Sequence, residues 1–315
     1  MGRRDRIDPG RQHTVRREYG FEGKGLHTGL FSQILICPAA ADSGIVFQRT
    51  DLSGGSNMIR AVAENVKLTE RSTTLACGPV KVQTAEHLLS ALYCLGIDNA
   101  LIKISGDEAP ILDGSAKPYA DAISADGLLE QDASRKYIVV DKPLHYKDCN
   151  SDSEISIFPS DSFEIDITAD YGSKVFGIQK AHYDSGMDYA AEIALCRTFC
   201  FLREVEYLLS LDLIKGGDLS NAIVVCDTPV SAGTLAHLED IFGIKGLARV
   251  PEGYLSNVKL HFDNECARHK LLDVTGDFAL AGYPLKARIE AYKPGHGINT
   301  SAVRYLREQY INSAK

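Results

Sequence analysis

His269 and Asp273 stand four residues apart in the run His269-Lys270-Leu271-Leu272-Asp273. On an α-helix that spacing puts both side chains on one face, within reach of a common ion, although an exposed helical ion pair has the same spacing. Their face continues to Asp277 and includes Gly276 and Leu280, while Ala267, Leu271, Val274 and Phe278 form an apolar stripe on the other side. A helix with apolar residues on opposite sides is expected between two layers, where ionisable groups need partners or a metal. A complementary half-site lies far upstream. Glu86 and His87 fall in the first turn of a second expected helix, where the positive end of the dipole disfavours protonated histidine. Neutral imidazole is what zinc binds. His87, His269 and Asp273 would then make a three-ligand set with the fourth tetrahedral position left for water, as in catalytic zinc sites. Glu86 is placed to act as general base toward that water. Spacing alone does not bring the two half-sites together.

The elements that must position these groups run strands first, then helices, in each half of the chain. An apolar run of β-type residues occupies 25–38, and a short strand at 80–83 leads into a helix capped by Thr84. Leu88, Ala91, Leu92 and Leu95 keep helical spacing, and Gly96 supplies the stop. A strand at 100–105 follows, and then a helix that Ser115 can cap and that tolerates Pro118 in its first turn. The pattern turns polar around 131–136. It resumes as strands at 137–140, at Ile155 and Ile157, and at Phe163, Ile165 and Ile167, followed by helices over 201–211 and 264–281. This order predicts an α+β fold of two domains, each a mainly antiparallel sheet with helices on one face. The expected division is a flexible tail over 1–11, domains over 12–133 and 134–304, and a C-terminal tail over 305–315. No glycine-rich phosphate loop follows a strand.

Composition narrows the function further. Against 34 Lys and Arg stand 42 Asp and Glu, a net charge of −8 that disfavours nucleic acid as a partner. No apolar run is long enough to cross a bilayer and the start lacks a secretory signal, so a soluble cytoplasmic protein is expected. The arginines of the opening six residues are interrupted by Asp5, with Asp8 close behind, and read as a frayed tail. Eight scattered cysteines without a CxxC pair read as reduced core residues, including Cys196 and Cys200 at i, i+4.

Longer motifs then carry a resemblance. Thr84-Ala85-Glu86-His87-Leu88-Leu89-Ser90-Ala91-Leu92 and His269-Lys270-Leu271-Leu272-Asp273-Val274-Thr275-Gly276-Asp277 are joined by Gly23-Lys24-Gly25-Leu26-His27-Thr28-Gly29, Gly96-Ile97-Asp98-Asn99, Pro110-Ile111-Leu112-Asp113-Gly114-Ser115, Arg197-Thr198-Phe199, Gly216-Gly217 and Pro294-Gly295-His296-Gly297-Ile298-Asn299. In order and spacing, nearly everything from Gln12 to Asn299 resembles the UDP-3-O-acyl-N-acetylglucosamine deacetylases of lipid A biosynthesis. The resemblance implies two similar α+β domains whose sheets enclose the helices, with the site at their junction. It implies hydrolysis of the acetamide of UDP-3-O-(3-hydroxyacyl)-N-acetylglucosamine by a bacterial cytoplasmic monomer. One zinc ion, or iron(II) in its place, would sit on His87, His269 and Asp273. Glu86 would be the base, Thr198 an oxyanion partner, Lys270 a nearby positive charge, and His296 the acid or electrostatic partner oriented by Asp277. Without the resemblance His296 reads as a loop residue. Phe199 would lie near the sugar and Gly217 near the substrate, while Leu202, Val205, Leu208, Ile214, Leu219 and Val224 would line the acyl passage. Ala85 stands where the family often has Val. Arg71-Ser72-Thr73-Thr74 replaces a segment with a frequent metal-side cysteine, and residues 142–153 offer no obvious cation for the nucleotide phosphates. The metal residues alone also allow hydrolysis of a different acylated substrate, or a metal-binding scaffold without turnover.

Overall fold

The structure of the chain, a computed structural model, describes residues 10–53, 57–205, 215–256 and 259–311. Two large sheets organise it. The first runs in the order Tyr19–Lys24, Phe31–Pro38, Ala100–Ile104, Ile45–Arg49, Met58–Arg60. Its neighbours are antiparallel except Ala100–Ile104 and Ile45–Arg49, which are parallel. Alternation sorts its faces: Ser32, Ile34 and Ile36 are buried while Phe31 and Gln33 are exposed. The register sets Ile36 opposite Ile102 and Phe47 beside it, all fully buried, and a slip of one residue would turn these side chains to solvent.

The second sheet runs in the order Leu144–Lys147, Glu154–Pro159, Leu285–Tyr292, Phe163–Asp170, Ile178–Asp184, with Ile138–Val139 also paired to Leu285–Tyr292. Phe163, Ile165, Ile167 and Ala169 are buried in strict alternation. Here Leu285–Tyr292 is parallel to Phe163–Asp170 and Ile138–Val139 and antiparallel to Glu154–Pro159. The fold is therefore α+β, with mostly antiparallel sheets that each contain parallel pairing.

Five helices matter to the site: α1 (Glu86–Leu95), α2 (Lys117–Asp126), α3 (Ala232–Phe242), α4 (Glu265–Ala279) and α5 (His296–Tyr310). Helix α1 stops at Gly96 as expected, in a left-handed conformation. It starts differently, because Thr84 has φ 56° and its hydroxyl donates to Glu108 at 2.9 Å, leaving Ala85 as an N-cap without a side-chain bond. Ser115 accepts from the Lys117 N–H at 3.1 Å but stands one residue before the N-cap of α2, Ala116, which has no side-chain bond; Pro118 lies in the first turn. Helix α4 is buried on nearly every side, as its apolar residues on opposite faces required. It packs on α1 and on strands Phe163–Asp170 and Ile178–Asp184. The approach to α1 turns on Gly276, where a methyl group would overlap the Glu86 carbonyl oxygen and sit 3.0 Å from its Cα. A mid-helix glycine costs about 1 kcal/mol against alanine, and here it lets two backbones meet. Tyr93 ties α1 to the second sheet, its ring 5.1 Å from Phe163 and its hydroxyl accepting from the Leu285 N–H.

Several expectations are corrected. Residues 305–310 are not a tail: α5 carries through them, Leu306 is fully buried, and Arg307 binds Glu64 at 2.8 Å. His296 opens that helix rather than lying in a loop. The stretch 201–211 begins with a strand, Phe199–Phe201, parallel to Ile223–Val225, and is helical over 202–205; its remainder lies outside the described residues. Cys77 and Cys149 are exposed, because each sits at the edge of a turn rather than on a buried face. Most apolar side chains form one core spanning both sheets, and a smaller cluster gathers Leu202, Val205, Leu219, Val224, Leu238 and Leu255. Among the described residues no helix is long and apolar enough to cross a membrane.

Candidate active site

The contact of α1 with α4 brings the two half-sites together. His87 Nε2 lies 3.7 Å and His269 Nε2 3.4 Å from Asp273 Oδ1, and one donor atom from each of the three residues falls within 4.8 Å of the others. Nitrogen and oxygen donors about 2.1 Å from a tetrahedral ion stand about 3.4 Å apart, so the trio fits zinc in both donor type and spacing. His269 Nδ1 is 3.0 Å from the Cys196 carbonyl, which keeps the proton on Nδ1 and the lone pair on Nε2. Burial pulls His87 down to about 3, helped by the neighbouring His269, and burial likewise lowers His269; both are held neutral, as a ligand must be. For Asp273 burial acts upward, but Lys270 and the histidines outweigh it and hold the carboxylate well below its usual range. Lys270 donates to Asp273 Oδ2 at 2.7 Å. Burial opposes the Lys270 charge, yet Asp273 raises it above the ordinary lysine value.

Beside the trio stand Glu86 and His296. Burial pushes Glu86 up to about 7, against the pull of His296 and with the repulsion of Asp273 and Asp277. The Thr73 N–H donates to Glu86 Oε2 at 3.1 Å, which fixes the carboxylate. His296 Nδ1 is 2.9 Å from Asp277 Oδ2, and its Nε2 faces Glu86 Oε1 at 3.8 Å and Asp273 Oδ2 at 4.0 Å. Burial alone would lower His296, but Asp277 and Glu86 raise it to about 9. Asp277 is fully buried and also accepts from the Thr73 hydroxyl and from Asn299 Nδ2. Two groups whose pKa values are both raised, one able to take a proton and one able to give it, thus flank a candidate metal site.

A cavity of about 500 Å³ opens onto this cluster. Thr198, Phe199, Leu202, Val205, Gly217, Leu219 and Val224 line it together with His269, Lys270, Asp273 and His296. Leu208 and Ile214 lie outside the described residues. Gly217 reaches the cavity because Gly216 sits directly on the Gly25 carbonyl, where any side chain would collide. This contact links two of the motifs read from the sequence. Residues 142–153 supply Asp148 and Ser153 rather than a cation, and Lys293 and Arg71 are the basic side chains added to the lining.

Three contributors were not singled out by sequence. His27 is 7% exposed, lines the cavity, and its Nε2 has no hydrogen-bond partner among the described residues. Its loop is clamped by Glu108, whose carboxylate accepts from the N–H groups of His27 and Thr28 and from two threonine hydroxyls. Thr73 steadies both Glu86 and Asp277 from a segment noted only for lacking cysteine. Tyr171 packs edge-on against Phe199, with 5.6 Å between ring centroids. His27 did stand inside a quoted motif, which was the available signal; for Thr73 and Tyr171 nothing in the spacing pointed to the site.

Comparison with known proteins gives a consistent picture. The chain matches the profile of the family described as LpxC, UDP-3-O-acyl N-acetylglycosamine deacetylase, over residues 12–240 and 248–308. It is 44% identical to the bifunctional enzyme LpxC/FabZ of Porphyromonas gingivalis over 95% of this chain and 64% of that protein. Against the UDP-3-O-acyl-N-acetylglucosamine deacetylase of Teredinibacter turnerae it is 39% identical, covering 95% of this chain and 91% of that one. The chain thus spans about two thirds of the length of the bifunctional relatives it matches, 64% and 65% for those of P. gingivalis and Bacteroides thetaiotaomicron.

Proposed function

The chain belongs to the LpxC family of UDP-3-O-acyl N-acetylglycosamine deacetylases, and on that premise we propose that it hydrolyses the acetamide of a UDP-3-O-(3-hydroxyacyl)-N-acetylglucosamine to the free amine and acetate, a step of lipid A biosynthesis in the bacterial cytoplasm. The observation that carries the proposal is the buried His87, His269 and Asp273 trio at the head of an apolar cavity, with an acid and a base beside it. These three residues would hold one zinc ion, with iron(II) as an alternative. When bound, the ion would supply Lewis-acid polarisation of a carbonyl and the acidification of water.

The chain's own groups do the rest. Glu86 takes the proton from the attacking water as the new C–O bond forms at the acetyl carbon. His296, protonated through the neutral range, gives its proton to the sugar nitrogen as the C–N bond breaks, with Asp277 orienting it and supporting its charge. Thr198 and Lys270 stand where negative charge develops on the acetyl oxygen. Phe199 and Gly217 meet the sugar, and Leu202, Val205 and Leu219 take the acyl chain. A monomer is taken as the working unit.

The architecture is read in the same way, as two similar domains, one over 12–133 and one from 134 to the end of α5 at Tyr310, whose sheets enclose the helices. Support comes from the strand orders, since in both sheets two outer strands are followed by a late central strand, its parallel neighbour and a last antiparallel strand.

Release of free amine from the acylated UDP-sugar tests the proposal, measured with a chelator and again after adding zinc. Chelator-sensitive release restored by zinc is expected. Glu86→Ala should keep zinc and lose most turnover, whereas Asp273→Ala should lose both. No release from a folded, zinc-loaded sample would leave a hydrolase of another acylated substrate, and full activity in Glu86→Ala would overturn the assignment of the base.

A further inference from the structure

The cavity has an apolar arm, and one wall of it comes from a stretch where the family match is interrupted. Residues 241–247 fall between the two matched segments, yet apart from the exposed Ile241 their apolar side chains face inward. Phe242 lines the cavity, Leu247 is buried, and Ile244 packs on the same small cluster. The turn is strapped back onto α3, because the Ile244 N–H donates to the Glu239 carbonyl at 3.1 Å and the Leu247 N–H to the Glu239 carboxylate at 2.8 Å. One helical turn before Phe242 on the same face, Leu238 is 1% exposed and also lines the cavity. Leu238 is the one fully buried residue of α3, so the helix spends its apolar stripe on this arm and not on the main core.

We infer that α3 and the turn behind it gauge the length of the acyl chain, with Leu238 and Phe242 as the residues that stop it. The inference rests on the proposed function, which puts the acyl group in this arm. A methylene that finds apolar wall gains about fourfold in binding. A methylene too many must displace side chains pinned by the Glu239 strap, and overpacking a held wall is unfavourable. The efficiency kcat/KM should therefore climb with chain length and then break where the chain meets Phe242.

The test is kcat/KM for the full chain over a series of UDP-3-O-acyl-N-acetylglucosamines lengthened two carbons at a time, in the wild type, Phe242→Ala, Leu238→Ala and Phe242→Trp. The alanine variants should move the break to longer chains and the tryptophan variant to shorter ones, changing the long-to-short ratio by about tenfold in opposite directions. An identical break in all four proteins, or a proportional loss at every length in the variants, overturns the inference while leaving the deacetylase reading intact. A wild type that turns over no member of the series overturns the deacetylase reading, and this inference with it.

Discussion

Gly276→Ala should damage the candidate metal site without touching any of the residues proposed to bind metal. A β-carbon at this position would overlap the Glu86 carbonyl oxygen and lie 2.8 Å from its carbonyl carbon. Carbon atoms rest comfortably at about 3.5–4.0 Å, so the two helices must separate by at least about 0.7 Å, and both obstacles are backbone. Overpacking of this kind costs about 1–3 kcal/mol, which would lower the melting temperature by a few degrees. The separation also exceeds the roughly 0.2 Å tolerance of a metal site. His87 rides on α1 while His269 and Asp273 ride on α4, so zinc affinity should fall on the order of 10–100-fold. Competition with a chromophoric chelator reads the affinity and calorimetry reads the stability. Gly233→Ala on α3 is the control, since its nearest neighbour would be the Ser231 hydroxyl at an ordinary 3.7 Å. Unchanged melting and unchanged zinc affinity in Gly276→Ala would refute the argument that this glycine sets the spacing of the site.

Other outcomes follow from the same geometry. The pH profile should rise through about 7 as Glu86 loses its proton and fall through about 9 as His296 loses its own; Asp277→Asn should move the alkaline limb toward neutral pH, and a limb that stays in place assigns it to another group. In metal-free protein His87 titrates near 3 folded and near 6.5 unfolded, so the unfolded chain takes up the extra proton and stability is lost as pH falls from about 6.5 toward 3. His296 has the opposite sign, contributing stability in full below about 6.5 that is lost as pH rises through about 9, and urea titrations of chelated protein across this range check both. Glu108→Ala strips four donors of their buried acceptor and should cost about 3 kcal/mol, read by denaturant unfolding; a loss within experimental error would mean that water replaces the carboxylate.

The candidate metal trio was legible because helical spacing is arithmetic: His269 and Asp273 one turn apart, and Glu86 and His87 at a helix start, are patterns that survive in one dimension. That α4 would be covered on both faces was legible for the same reason. What spacing could not express was the meeting of α1 with α4, which depends on one missing methyl group at Gly276. Helix α5 escaped because its buried stripe of Ile298, Ala302, Val303 and Leu306 is interleaved with Asn299, Thr300 and Arg304 and opens on a glycine-flanked histidine that looks like a turn. Thr84 misled for a related reason. A threonine before a helix usually caps it by accepting a backbone N–H, but here Thr84 stands one residue outside the N-cap at φ 56° and its hydroxyl donates to Glu108, distant in sequence. Parallel pairing at the centre of each sheet is a choice of partner between distant strands, and alternation within a strand says nothing about it.

Because its donors ride on α1 and α4, the centre has a place in time as well as in space. His87 leaves the ribosome about 180 residues ahead of His269, and at roughly 5–20 residues per second that is an interval of about 10–40 s. Throughout it the nascent chain carries one donor of the trio, and one donor does not make the site. On the proposed reading, the site can take its ion only once α4 has been made, and a truncated product ending before α4 would lack two of the three donors.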